Sequence, residues 1–359
     1  MGKTFKAYGG KEMIPKQVRN VIRRILIVSL IPALILLFSV SVFANGSQEH
    51  SKGFVIALSN AYNGNAWRHQ MERDFIASAK QAEAKGLVAK YVIDNSTNGL
   101  PGQLQQMDDL ILQHVSAIVV DAASSTGLNG VIAKATKAGI PVISFDTGVT
   151  SPVAYRIHTS FFDWAKGSMQ WVADHFHGDA NVVIVRTQRG THSDAQLMAG
   201  YMSVVKKYPG MKVVATIYGN ADVTTTESKL SALIPSLPKV DAVMCAAGGF
   251  GAVQAFQAAG RPIPVVTSGL SSQFIHWWIN EHEKNGYTTV GRVARPSESS
   301  AAFWAAVDLV HGQTVPKNML MPTASVTQSN LMQFKDLPPN SFADTPPSNA
   351  WVKKTLLTQ

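Results

Sequence analysis

From Gly53 onward the chain alternates short apolar runs, rich in β-branched residues, with longer stretches whose apolar positions recur every three or four residues. The first kind of pattern suits a buried strand and the second an amphipathic helix. Phe54 to Ser59 (FVIALS) reads as a strand, and Ala66 to Lys85 as a helix with Trp67, Met71 and Phe75 on one stripe and Gly86 as its stop. Strands follow at Tyr91 to Ile93, Ala117 to Asp121 and Val142 to Asp146, separated by helices near Gln103 to His114 and Leu128 to Ala138. After Tyr155 to Thr159 a second series begins, with strands at Val182 to Val185, Val213 to Tyr218, Ala242 to Met244, Val265 to Thr267 and Thr289 to Val293. Helices near Trp164 to His177, Ala195 to Lys207, Thr225 to Leu233, Ala252 to Ala259 and Phe274 to Lys284 lie between these strands. Strict alternation of this kind predicts right-handed βαβ units, so the expected fold is α/β, with two doubly wound, Rossmann-like lobes built on parallel sheets.

The two series also echo each other. Val115 to Val119 followed by AGIPVISFD (Ala138 to Asp146) parallels Val240 to Met244 followed by AGRPIPVVTS (Ala259 to Ser268). Gly can end a helix and Pro can begin a strand in any such connection. Four matched elements in one order nevertheless favour an internal duplication. Beyond Gln333 the pattern stops and Pro, Asn and Ser take over, which reads as an extended tail on the surface.

Charge changes the picture at the N-terminus. Seven Lys/Arg against the single acid Glu12 precede an uncharged apolar run from Ile25 to Phe43, and Val42-Phe43-Ala44 provides a signal-peptidase pattern. A run of this length approaches the roughly 20 residues that span a bilayer, so an anchor is the competing reading. Pro32 and the cleavage pattern favour a signal peptide over residues 1–44, cut after Ala44, and hence an exported, periplasmic protein. The leader also accounts for most of the net charge of +9, leaving 25 basic against 22 acidic residues beyond it. That balance offers no basic face for nucleic acid. The single cysteine, Cys245, excludes an internal disulfide.

Certain segments then carry a family likeness. IALSNAYNGNAWR (Ile56 to Arg68), QMDDLILQHVSAIVVD (Gln106 to Asp121), AGIPVISFD ending at Asp146, and AFQAAGRPIPVV (Ala255 to Val266) occur in an order and spacing that resembles the type I periplasmic sugar-binding proteins of the ribose- and galactofuranose-binding kind. The resemblance implies two lobes joined by a three-crossing hinge: residues 53–159 plus 294–325 in the N-terminal lobe, 160–293 in the C-terminal lobe, and 326–359 as an extended C-terminal segment. It also implies a monomer that captures a monosaccharide or polyol and delivers it to an ABC permease in the inner membrane, and the lack of metal-ligand spacings and phosphate loops leads us to expect no cofactor and no metal. A receptor for a sensor kinase or chemoreceptor, or a binder of a furanose-like signalling molecule, would use the same fold.

In open α/β sheets ligands lie beyond the carboxyl ends of the strands. A sugar needs an aromatic plane for its C–H face and polar groups for its hydroxyls. The loop after the first strand supplies Tyr62, Asn63, Asn65, Trp67 and Arg68, although Trp67 also fits a core stripe and Asn65 also fits a helix N-cap. Asp146 ends a strand, can accept from two adjacent hydroxyls, and matches the family's ligand-binding aspartate, with Thr147 next to it. Asp121, at another strand end, suits either ligand contact or hinge structure. On the second lobe the candidates are Arg189, with Arg186, Gln188 and Thr191 around it, then Asn220 with Asp222, and Arg295 with Arg292 near the last crossing. The chain departs from the family pattern at Leu197, at Thr147, and at Cys245-Ala-Ala-Gly-Gly and Ser268-Gly269, where arginine, asparagine or aspartate are frequent.

Rival readings find little purchase. Gly-x-Ser-x-Gly, His-Glu-x-x-His and phosphate-loop patterns do not occur, and His175 and His177 point away from each other on a helix. Cys245 reads as a small packing residue, and Gly248-Gly-Phe-Gly251 as a tight strand-to-helix turn rather than a dinucleotide loop. A sugar-responsive transcription regulator would begin with a helix-turn-helix instead of a charged leader.

Overall fold

The computed structural model describes residues 53–359, so the leader and its cleavage site lie outside the described residues. Phe54–Gln359 forms one compact unit. Its first sheet has the order β11-β5-β4-β3-β1-β2, built from β1 (Val55–Asn60), β2 (Lys90–Asn95), β3 (Ala117–Asp121), β4 (Val142–Ser144), β5 (Tyr155–His158) and β11 (Asn318–Leu320), all pairs parallel. The second sheet has the order β7-β6-β8-β9, from β6 (Asp179–Arg186), β7 (Gly210–Tyr218), β8 (Ala242–Cys245) and β9 (Val265–Thr267), again parallel. The architecture is therefore α/β with two doubly wound lobes.

Ten helices fill the connections among the described residues. On the first lobe α1 (Ala66–Ala84), α2 (Gly99–Leu112) and α3 (Asn129–Lys137) follow the first three strands. On the second lobe α4 (Phe161–His175) precedes the sheet, and α5 (His192–Val205), α6 (Val223–Leu233), α7 (Gly249–Ala258) and α8 (Ser272–Asn285) follow its four strands. Each sheet is apolar on both faces, as parallel sheets covered by helices must be. Ile56, Leu58 and Val119 face the α1 side with Met71 and Phe75, whereas Ala57, Ile118 and Val120 face α2 and α3 with Met107 and Ile132. The paired units β3-α3-β4 and β8-α7-β9 occupy equivalent places in the two sheets, which agrees with the internal echo in sequence.

Two features depart from the pattern reading. Helix α9 (Glu298–Val310) was not marked by any amphipathic stripe, because it is buried all round from Glu298 to Asp308. Its small residues let it press against α1: Ser299 Oγ donates to the Met71 carbonyl at 2.7 Å and Ser300 Oγ to that of Asp74 at 2.8 Å. The C-terminal segment, expected as an extended tail, is instead structured and packed. β12 (Ala324–Val326) pairs antiparallel with β10 (Gly291–Val293), and Leu331 and Ala343 join the core of the second lobe. The chain then returns to the first lobe, where α10 (Asn349–Thr355) buries Val352 and Leu356. Its few apolar residues are spaced by prolines and so leave no periodic trace, yet Leu331, Ala343, Val352 and Leu356 are buried.

Between these anchors the segment touches both lobes. Gln70 of α1 clasps the Phe342 backbone, accepting from its N–H at 2.7 Å and donating to its carbonyl at 3.3 Å. Leu270 accepts from Ala343 N–H at 2.8 Å, and Ser341 accepts from Ser272 N–H at 2.7 Å. The fully buried Asp344 carboxylate takes Arg295 Nη1 at 2.8 Å and Ser297 N–H at 3.0 Å.

Candidate functional site

The site grows from the carboxyl ends of β1, β3 and β4. Asn65 caps α1: its Oδ1 accepts from Arg68 N–H at 2.8 Å, while its amide donates to the Tyr62 hydroxyl at 2.6 Å. That cap directs the first turn of α1 and lays Arg68 inward across the strand ends. Arg68 is only 8 % exposed, and its Nη1 donates to Asn60 Oδ1 at 2.8 Å and to the Asp121 carboxylate. Its Nη2 lies 3.8 Å from Asp146 Oδ2, and its guanidinium sits over the rings of Tyr62 at 5.1 Å and Trp67 at 5.5 Å. One guanidinium thus links two aromatic planes and two strand-end carboxylates.

Asp121 is fully buried, and burial pushes its carboxyl well up, with Arg68 pulling it back and the Thr147 backbone helping. It therefore acts as the anchor that fixes Arg68. Asp146 keeps 24 % of its side chain exposed, so the Arg68 pair leaves oxygen lone pairs free to accept. Burial raises the Asp146 carboxyl too, and Arg68 again opposes the shift. Its φ of 50° puts Asp146 in the left-handed region, which Asp and Asn tolerate better than most residues. The turned-out Asp146 N–H would be left unpaired there, and Glu298 Oε2 accepts from it at 2.9 Å. Glu298 also takes the Thr159 hydroxyl at 2.5 Å.

A 530 Å³ cavity beside Arg68 is lined in part by Tyr62, Asn63, Arg68, Ser96, Thr97 and Ala123, and its lining does not include Asp146 or Trp67. Asn63 donates to Glu72 Oε2 at 2.7 Å, while its buried Oδ1 has no partner among the described residues. Trp67 is partly buried: its ring extends the Met71 and Phe75 stripe and its indole N–H donates to the Ala294 carbonyl at 2.9 Å. That packing is the core-stripe reading of Trp67.

The second lobe presents a different set at the ends of β6 and β7. Arg186 makes a two-point pair with Asp194, at 3.2 and 2.5 Å. Arg186 and the exposed Arg189 lie over the Tyr218 ring at 4.8 and 4.4 Å. Arg189 and Asn220 share a 570 Å³ cavity with Tyr218 and Lys229. Thr191 and Asp222 cap α5 and α6, so their oxygens are already engaged. Arg295 is turned toward Asp344 and the Pro322 carbonyl, away from the Arg68 group. Arg292 packs against α4 near Gly167, where burial lowers its pKa. Cys245 is buried, its thiol pushed up to about 12 by burial and pointed at the Ala247 carbonyl 2.7 Å away. Among the described residues no group of three or more His, Cys, Asp or Glu is placed to hold a metal ion.

Sequence reasoning missed Asn60, Asp194 and Glu298. Asn60 and Asp194 follow strand ends or open a helix, so their positions were readable; Glu298 lies 152 residues from the turn it serves.

The model of the periplasmic binding protein domain family matches residues 56–314. The chain belongs to that family. A solved ABC transporter solute binding protein from Thermobispora bispora shares 34 % identity with it, at a TM-score of 0.72 over 84 % of this chain and 94 % of that one. The xylitol-binding protein of Mycolicibacterium smegmatis is 28 % identical over 270 residues, 72 % of this chain and 75 % of that protein. The ribose import binding protein of Bacillus subtilis is 23 % identical over 286 residues, covering 78 % and 89 %. These relatives are named as binding or import proteins, not as enzymes. The matched region ends before β11, so the packed C-terminal segment lies beyond it.

Proposed function

We propose that this chain is an exported solute-binding protein that captures a monosaccharide or polyol between its lobes and delivers it to an ABC permease. The observation that carries this reading is the Arg68-centred group, which sets Asp146 as a part-exposed acceptor beside Tyr62 and Trp67 at the strand ends. A carboxylate held this way can accept from two neighbouring hydroxyls while an aromatic face covers the ligand's C–H surface. The names of the relatives, which bind xylitol or import ribose, support the same class of ligand.

Calorimetric titration with pentoses, hexoses, pentitols and hexitols tests this reading, with and without prior dialysis against chelator. Saturable one-to-one binding to at least one member, unchanged by chelator, is expected. Absence of binding across the panel, or affinity that vanishes on chelation, would contradict it.

A further inference from the structure

Glu298 is a fully buried acid that neither the family likeness nor the sequence pattern assigns a role. It opens α9, where the partial positive charge of the helix N-terminus favours a carboxylate. Its two oxygens reach two different strand ends. Oε2 accepts the N–H of Asp146, just past β4, and Oε1 meets the hydroxyl of Thr159, just past β5. Thr159 and the helix-capping Ser160 lie between β5 and α4 of the second lobe, and Glu298 opens α9 after a short connection from β10. One side chain therefore joins the left-handed turn at Asp146 to two of the strands that connect the lobes.

We propose that Glu298 is a positioning residue: it fixes the direction of the Asp146 carboxylate toward the ligand and ties that turn to the hinge. This rests on the reading of Asp146 as a ligand contact. The backbone at Asp146 is held in a sparsely populated region, and such conformations persist only where surrounding bonds over-determine them. Without an acceptor, the Asp146 N–H would be buried and unpaired, and the turn would relax toward one that satisfies it. The carboxylate would then swing away from Arg68. A neutral group serves as well as an ionised one, since a protonated carboxyl can donate to Thr159 Oγ1 and still accept from Asp146. Burial and the neighbouring Asp146 and Asp121 carboxylates do push Glu298 up, to about 8.

The test uses Glu298→Gln, Glu298→Leu and Asp146→Asn in the full exported protein, titrated with the tightest-binding sugar or polyol of the panel, alongside thermal melts. Glutamine can make both hydrogen bonds, so it should stay within about threefold of the parent. Leucine can make neither and should lose at least about tenfold in affinity at a temperature where the variant is folded. If Glu298→Leu does not fold, Glu298→Ser replaces it, being too short to reach either partner but leaving room for water. Unchanged affinity with a lowered melting temperature would reduce Glu298 to a structural residue and overturn the proposal. So would an equal loss in the glutamine variant, which would mean that charge and not geometry matters. Unaltered binding by Asp146→Asn would instead remove the site reading beneath it.

Discussion

At the scale of single residues, the first lobe concentrates carboxylates around one cation. Asp121 and Asp146 flank Arg68, Glu298 lies behind them bonded to the Asp146 N–H, and Asp74 lies near Asp344. Burial first, then neighbouring acids, raise Glu298 from 4.5 to about 8; burial and Asp344 raise Asp74 from 3.8 to about 7. Between the ordinary and the raised value the folded protein holds a proton that the unfolded chain releases. Stability is therefore greatest below the ordinary values and falls as pH rises through the raised ones, by up to about 1.4 kcal/mol per pH unit for each group. Denaturant titrations should give a stability that declines from pH 5 to pH 8 and then levels, with a shallower decline in a Glu298→Gln, Asp74→Asn double variant. An equally steep decline in that variant would assign the effect to other groups. Asp121 and Asp146 are legible as polar strand ends because an apolar run closing on Asp is a local signal, whereas sequence reasoning missed Asn60, at the end of β1. Glu298 was not legible, since its partners are set by the crossing of chains that are far apart in sequence.

At the scale of elements, β1 to β9 and most helices are readable because parallel strands are short continuous apolar runs and their helices carry one apolar face. β11 and β12 are not marked, and the Thr289–Val293 run pairs antiparallel with β12 instead of joining the second parallel sheet. The run at Ala117–Asp121 and that at Val265–Thr267 fall where the pattern put them. Helix α9 defeats this logic, as burial on all sides erases the stripe, and α10 defeats it by its brevity. The C-terminal segment shows what such unreadable pieces contribute. Val352 and Leu356 are both fully buried against the first lobe, and Asp344 satisfies Arg295 and the head of the Ser297 turn. Each large apolar side chain buried adds about 1.5–3 kcal/mol, which in a domain of this size is several degrees. Truncation after Pro338 should lower the melting temperature by at least about 5 °C. A shift of less than about 1 °C would mean that the segment is a passive tail.

At the scale of the whole molecule, the two sheets each offer a row of strand ends, and a small polar ligand is desolvated and fully bonded only where both rows contact it. In the proposed reading, binding would favour a closed arrangement by the ligand's differential contacts with it. In that reading the first lobe would bring the charged group and the aromatic planes, and the second Arg186 and Arg189 over the Tyr218 ring. Asp146 is the proposed acceptor at the centre of that arrangement. Calorimetric titration of Asp146→Asn beside the parent, with the tightest member of the sugar and polyol panel, tests it most directly. Asparagine keeps the left-handed turn but gives up the charge-assisted bonds, each worth about 1.5–3 kcal/mol, so the account predicts at least about a tenfold loss of affinity in a folded variant. Equal affinity in a variant with the parent's melting temperature would place the ligand elsewhere and contradict it.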